Sequence, residues 1–191
     1  MKAGADLEEH FEPFPVLETE RTRLRKITYE DQNDMFSYCK NPEVSKYTVW
    51  DVHQSIDDTN HFIDFVRSRY ESQKVGPWGI EDKLTNKLIG SCSFVSWDNR
   101  NQKAELGYVL SYDYWNKGYM SEVIRRIILF GFHDIGLVRI EARCHPLNLG
   151  SARVMEKSGM QYEGLLRRHI FAKGDFQDVK IYSIIRDDFV S

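Results

Sequence analysis

The sequence is poor in cysteine and has no long hydrophobic run. Cys39, Cys92 and Cys144 lie far apart in 191 residues, and no Cys-x-x-Cys occurs. An odd, sparse set of this kind excludes a disulfide framework and reads as a reduced, intracellular chain. The most apolar segment, residues 124–132, is interrupted by Arg125 and Arg126, so no stretch is long enough to cross a bilayer. Met1 to His10 is charged and lacks the apolar core of a signal peptide. A cytoplasmic protein without membrane contact is therefore expected. A basic surplus is also absent: 26 Lys and Arg face 29 Asp and Glu, a net charge of -3. Direct nucleic-acid binding is not expected on that balance, which still leaves room for a local basic face. The six histidines show no zinc-ligand spacing, so no metal is expected. There is no G-x-G-x-x-G, no Walker A loop and no internal repeat.

What the chain does have is enough apolar sequence for a packed core: 41% hydrophobic residues beside 29% charged. The 13% aromatic content suits a well-filled core or an aromatic-lined cleft. The length fits one domain with a short arm. Residues 1–18, acidic and carrying Pro13 and Pro15, read as that arm with weak local structure, and 19–191 as the domain. The arm and the aromatic content leave a homodimer open.

Alternation over 22–28 predicts a strand. Thr28 and Asp31 predict a helix start, and Asn41-Pro42 its stop. Residues 42–54 read as a loop holding Tyr47, Trp50 and His53. A second helix begins at Ser55, with Ile56, Ile63, Val66 and Tyr70 along one face. Strands are predicted near 77–81, 87–96 and 102–110, joined as antiparallel hairpins by turn-rich 82–86 and 98–101. Residues 120–135 carry apolar positions at helical spacing, and Gly136 ends them. Val138 to Cys144 alternates as a strand, so 102–144 forms a strand, helix, strand crossover with two parallel strands. A last helix covers 149–158, followed by short strands near 160–163 and 180–185. The class is α/β: one mixed sheet, with no second domain.

The stretch that carries chemistry is Glu105-Leu106-Gly107-Tyr108-Val109-Leu110 followed by Trp115-Asn116-Lys117-Gly118-Tyr119-Met120-Ser121-Glu122. A strand runs into a loop whose glycine opens a long helix. The first N–H groups of that helix have no partner within it, and its dipole favours an anion in front of them. A pyrophosphate is the expected guest. Taken alone, one glycine before a helix more often serves only a plain turn.

The ordered set of motifs resembles the GCN5-related N-acetyltransferases (GNAT), and among them the RimJ/RimL type. The family loop reads Gln/Arg-x-x-Gly-x-Gly/Ala. Gly118 matches it, while Trp115 and Met120 depart from it. Glu105-Leu106-Gly107-Tyr108 resembles the family strand before the loop, and Asn148-Leu149-Gly150-Ser151 its Asn-x-x-Ser element. Glu156-Lys157-Ser158-Gly159-Met160 and the stretches 163–167 and 174–182 continue the likeness, which spans about residues 20–187.

The resemblance implies a GNAT-like, mostly antiparallel sheet with splayed central parallel strands and flanking helices. It implies direct transfer from acetyl-CoA to an amine acceptor. The pyrophosphate would meet N–H groups over Lys117, Gly118, Tyr119, Met120 and Ser121. The pantetheine arm would pair like an added strand with Tyr108, Val109 and Leu110, and bare Gly107 would not obstruct it. An α-amine with a pKa of about 8 must lose a proton before attack. Glu105 shares a strand face with Gly107 and is the candidate base. The alternative is a surface carboxylate paired with Arg139 or Arg143. Asn148 is read as a helix cap that also bonds the pantetheine. Ser151 is the candidate proton donor to the thiolate, or only a CoA contact. Tyr108 offers a backbone donor to the thioester carbonyl, or is simply core. Tyr47, Trp50 and His53 lie where relatives wall the acceptor site. The leading acceptor is a protein N-terminal α-amine, ribosomal-protein-like. A small amine (aminoglycoside, polyamine or amino-acid derivative) is the first alternative, and a non-catalytic acetyl-CoA-binding regulatory module the second.

Overall fold

The computed structural model describes residues 6–72 and 74–189. Eight strands form one sheet: β1 (Leu17–Glu18), β2 (Thr22–Arg25), β3 (Trp78–Asp82), β4 (Leu88–Asp98), β5 (Lys103–Leu110), β6 (Arg139–Cys144), β7 (Gln161–Ala172) and β8 (Asp175–Ile185). Their spatial order is β1-β2-β3-β4-β5-β6-β8-β7. Every neighbouring pair is antiparallel except β5 and β6, which run parallel. Five α-helices are present among the described residues: α1 (Gln32–Cys39), α2 (Pro42–Ser45), α3 (Ile56–Glu71), α4 (Tyr119–Phe130) and α5 (Leu149–Lys157).

Strand alternation divides the core in two. Ala104, Leu106 and Leu110 of β5 point into the larger cluster, where Met120, Val123, Ile124, Ile127 and Ile128 of α4 are buried. Those α4 positions repeat at three and four residues, which gives one apolar stripe. Each such side chain contributes about 1.5–3 kcal/mol when fully buried. On the opposite face, Val109 packs against a second cluster that includes Met35, Ile63 and Val66 from α1 and α3. The apolar run of α4 continues as a π-turn over Gly131–Ile135 and stops at Gly136.

Three local expectations are corrected. Residues 6–18 of the expected arm are not weakly structured, residues 1–5 lying outside the described residues: a 3-10 turn over Leu7–Phe11 buries Leu7 and Phe11 in the larger cluster. The Trp78 indole N–H also donates to Pro15 O at 2.7 Å. Asn41-Pro42 does end α1, but the same pair starts α2. The Asn41 side chain accepts from Glu43 N, with proline in the first turn. The last two strands are not short, because β7 and β8 form a long hairpin.

The sheet opens in its middle. β5 and β6 pair from Lys103 with Arg139 to Leu106 with Ala142, and no further. Beyond that point β5 runs on to Leu110 beside β4, while Arg143 and Cys144 of β6 pair only with β8. One edge of Gly107–Leu110 is thus left without a strand partner. The bareness of Gly107 has a nearer cause than an incoming ligand. A β-bulge lies between Phe94 and Ser96, and a Cβ at Gly107 would stand 2.8 Å from Val95 Cγ1.

Candidate active site

Two cavities meet where the strands part. The first, about 240 Å³, lies between the end of β5, the loop before α4 and the start of α5. Tyr108, Val109, Leu110, Gly118, Tyr119, Met120, Ser121, Asn148 and Ser151 all line it. Lys117 does not. Its ammonium lies over the Tyr114 ring, 5.8 Å from the centroid, and its carbonyl accepts from Arg21 Nη1 at 3.0 Å. Arg153 and Lys157, which the sequence reading passed over, bring positive charge to this wall instead. Their spacing of four after the Asn148 cap places them on one helix face. A polar helix start beside two cations suits a pyrophosphate, and the apolar end of β5 suits an extended thioester arm.

The loop before α4 is braced on several sides. Gly118 takes φ +81°, the left-handed region, as it leads into the helix. The Trp115 indole N–H donates to Leu110 O at 2.8 Å, tying the loop back to β5. This is the structural use of the residue that replaces the family's Gln or Arg. The Tyr114 and Tyr119 hydroxyls lie 3.5 and 3.4 Å from the buried Asp82 carboxylate. Arg21, in the turn between β1 and β2, holds Glu122 in the first turn of α4. Its backbone N–H and its Nε donate to the two carboxylate oxygens at 2.9 and 2.7 Å. Burial works against the charged Glu122, but hydrogen bonds from Thr19 and from Arg21 outweigh it, so its pKa lies below the ordinary value.

Asn148 caps α5 by accepting from Ser151 N at 3.0 Å. The Tyr108 hydroxyl lies 2.9 Å from Ser151 Oγ and donates to Ser151 O at 3.1 Å. Burial raises the Tyr108 phenol well above its usual pKa, which keeps it protonated.

The second cavity, about 510 Å³, opens on the other face of the sheet. It shares Thr48, Tyr108, Val109, Asn148 and Ser151 with the first. Glu105 lines this side only. Its Oε2 lies 3.1 Å from Arg143 Nη2 and accepts from Ser96 Oγ at 3.2 Å. Of the two arginines considered, Arg143 is therefore the partner, whereas Arg139 is taken by Glu141 and Glu163. Tyr47 and Trp50 also line the cleft, and Tyr47 stacks on His145 with ring centroids 5.0 Å apart. His53 stands behind Trp50: its Nδ1 lies 2.8 Å from Thr59 Oγ1, and burial lowers its pKa. Phe62, Phe65 and Arg69 of α3 complete the wall. The signal for them was two aromatics lying off the α3 core stripe. Cys144 also reaches the cleft, but burial pushes its thiol up to about 11, so it is held as a neutral thiol at pH 7.

Among the described residues no group of His, Cys, Asp or Glu is arranged to hold a metal ion. Among the described residues no helix is long and apolar enough to cross a membrane.

A family model described as an acetyltransferase (GNAT) domain matches residues 21–161. The N-acetyltransferase YoaA of Bacillus subtilis is 35% identical over 173 residues, covering 91% of this chain and 98% of its own length. The crystal structure of a GNAT-family acetyltransferase from Bacillus anthracis is 29% identical, with a TM-score of 0.80 over 91% of this chain and 99% of that one. RimL, a ribosomal L7/L12 α-N-protein acetyltransferase solved with coenzyme A, shares the fold at 19% identity, with a TM-score of 0.78 over 92% of this chain and 100% of its own. The chain belongs to the GNAT acetyltransferases, enzymes that use acetyl-CoA.

Proposed function

We propose that this enzyme passes acetyl from acetyl-CoA directly to the α-amine of a peptide or protein N-terminus. The observation that carries the reading is the shared wall of the two cavities at Tyr108, Asn148 and Ser151. A thioester reaching through the parted strands from one side would meet an amine entering from the other. The new N–C bond forms as the C–S bond breaks, so one proton must leave the amine and one must reach the sulfur. Glu105 takes the first, through the carboxylate oxygen not held by Arg143 and Ser96, or through a water. Ser151, backed by Tyr108, stands at the junction for the second. No acyl-enzyme is needed, and the protonated Cys144 is no nucleophile.

The acceptor cleft favours a peptide over a polycation. Glu105 is the one carboxylate on its described wall, and it is already paired. Arg69, Arg143 and His145 set the opposite tone, and Phe62, Phe65, Val49 and Val95 expose apolar surface. A polyamine or aminoglycoside gains nothing there, whereas a neutral α-amine on an apolar first residue fits. RimL, acting on a protein α-amine, supports the same class. The three free, buried cysteines suit a reducing, cytoplasmic setting.

The test is thiol release from acetyl-CoA with N-terminal peptides and small amines, for the wild type and Glu105→Gln. Peptide-dependent release is expected, falling about ten- to a thousandfold in the variant with CoA binding kept. Release with small cationic amines alone would overturn the N-terminal reading. CoA binding with no turnover on any amine would overturn acetyl transfer itself.

A further inference from the structure

The acetyl-donor site has a partner that comes from far away in the chain and does not itself line the cavity. Arg21 is 96 residues from Lys117 and 101 from Glu122, yet it touches the loop and the helix start at several points. Its Nη1 donates to Lys117 O at 3.0 Å. Its Nε and Nη2 both lie 2.7 Å from Glu122 Oε2, and its backbone N–H donates to Oε1. The guanidinium carbon sits 4.1 Å from the centroid of the Tyr119 ring. A Cβ built on Gly118 would lie 3.5 Å from Nη2.

Two consequences follow from elementary chemistry. In a planar trans peptide the C=O and the next N–H point opposite ways. By holding Lys117 O, Arg21 turns the Gly118 N–H away from itself. Gly118 lines the cavity and Arg21 does not, so the far side of that peptide is where an anion would sit. The second consequence is electrostatic. Glu122 is a carboxylate in the first turn of the helix whose N-terminus must receive a pyrophosphate. Left bare, it would compete for the helix dipole and repel the ligand. Arg21 covers that charge with a side-on ion pair through Nε and Nη2.

We propose that Arg21 is a positioning residue for acetyl-CoA: it fixes the Lys117–Gly118 peptide and masks the Glu122 charge, so that the helix start accepts the pyrophosphate. The role concerns only the nucleotide end of the donor, and this separates it from a general role in folding. Acetyl-pantetheine has the same thioester and lacks the pyrophosphate, so it does not use the site Arg21 prepares.

The experiment measures kcat and KM for acetyl-CoA and for acetyl-pantetheine, and CoA affinity by calorimetry. The variants are Arg21→Ala, Arg21→Lys, Glu122→Gln and the double variant Arg21→Ala/Glu122→Gln. For Arg21→Ala, KM for acetyl-CoA and the CoA dissociation constant should both rise about ten- to a hundredfold, the scale of a lost charge-assisted contact, while kcat changes by less than about threefold. The acetyl-pantetheine constants should move by no more than about threefold, because no phosphate is bound. Arg21→Lys should fall between the wild type and Arg21→Ala. The double variant should bind CoA more tightly than Arg21→Ala, since the bare carboxylate is gone. Equal losses with both donors would overturn the proposal, as would a double variant no better than Arg21→Ala. If the wild type turns over neither donor, the acetyl-transfer reading fails, and the calorimetric comparison decides the role of Arg21 by itself.

Discussion

The two sides of the proposed transfer point are built differently. On the donor side, the end of β5 and the start of α5 share the wall with one loop and the helix start it opens. That loop and helix start are tied down by Trp115 to β5, by two tyrosines to Asp82 and by Arg21 to Glu122. On the acceptor side the wall comes from the loop after α2, from α3, from β4 to β6 and from the β7–β8 hairpin. Its polar anchors are few, and its exposed surface is aromatic and aliphatic. A rigid, hydrogen-bonded site suits a donor that never changes. A wall gathered from many segments lets the acceptor differ between relatives without disturbing the donor grip.

That contrast predicts effects confined to one side. The largest outside the base and Arg21 belongs to Gly118→Ala. A left-handed residue with a Cβ costs about 1–2 kcal/mol, so the melting temperature should fall. The donor loop should lose its register as well, raising KM for acetyl-CoA at least about tenfold with little change in acceptor KM. An equal rise in both would break the division. A smaller effect is expected on the other side. Arg69 donates to Val75 O and lies over Phe65, and it adds positive charge to the cleft. In Arg69→Gln, KM for peptides with an acidic second residue should rise about threefold, the size of one partly screened charge contact. CoA affinity should stay as it was, and loss of CoA binding would contradict the separation.

The smallest effect serves as a control outside both sites. Arg139 and Ser183 hydrogen bonds hold the Glu163 carboxylate down at about 2. A carboxylate depressed in the folded state stabilises above its unfolded pKa of about 4.3 and loses that contribution as pH falls towards the folded value. Glu163→Gln should therefore melt below the wild type at pH 7, by less than about 1 kcal/mol because the pair is partly exposed. The gap should close between about pH 4 and pH 2. A gap that persists at pH 2 would show that the loss is not ionic.

Much of the donor side is legible in the sequence because its parts are contiguous. The apolar repeat of α4, Gly118 before it and Asn148 at the next helix start are local signals, and the structure puts them around one cavity. Arg21 carries no such signal, since its partners lie about a hundred residues on and nothing near it in sequence marks them. Residues 6–18 lack a local signal for a similar reason: Leu7 and Phe11 are isolated apolar residues, and Phe11 finds its packing partners in Trp78 and Phe130, far along the chain. Asn41-Pro42 shows a different limit. The same pair that stops one helix can cap the next, and composition alone does not choose. In the acceptor cleft, Tyr47 and Trp50 reach the wall while His53 turns back to Thr59. Loop residues six apart carry no periodicity to tell them apart.

The parting of β5 from β6 has a mechanical consequence. Only four residue pairs join the two halves of the sheet at that seam. The halves are two leaves bound at one end, β1 to β5 on one side and β6 to β8 on the other. At the free end they can move apart or together without breaking a ladder hydrogen bond between them. A change in the width of the slot between them is therefore separable from unfolding, because it leaves the paired end of the seam intact.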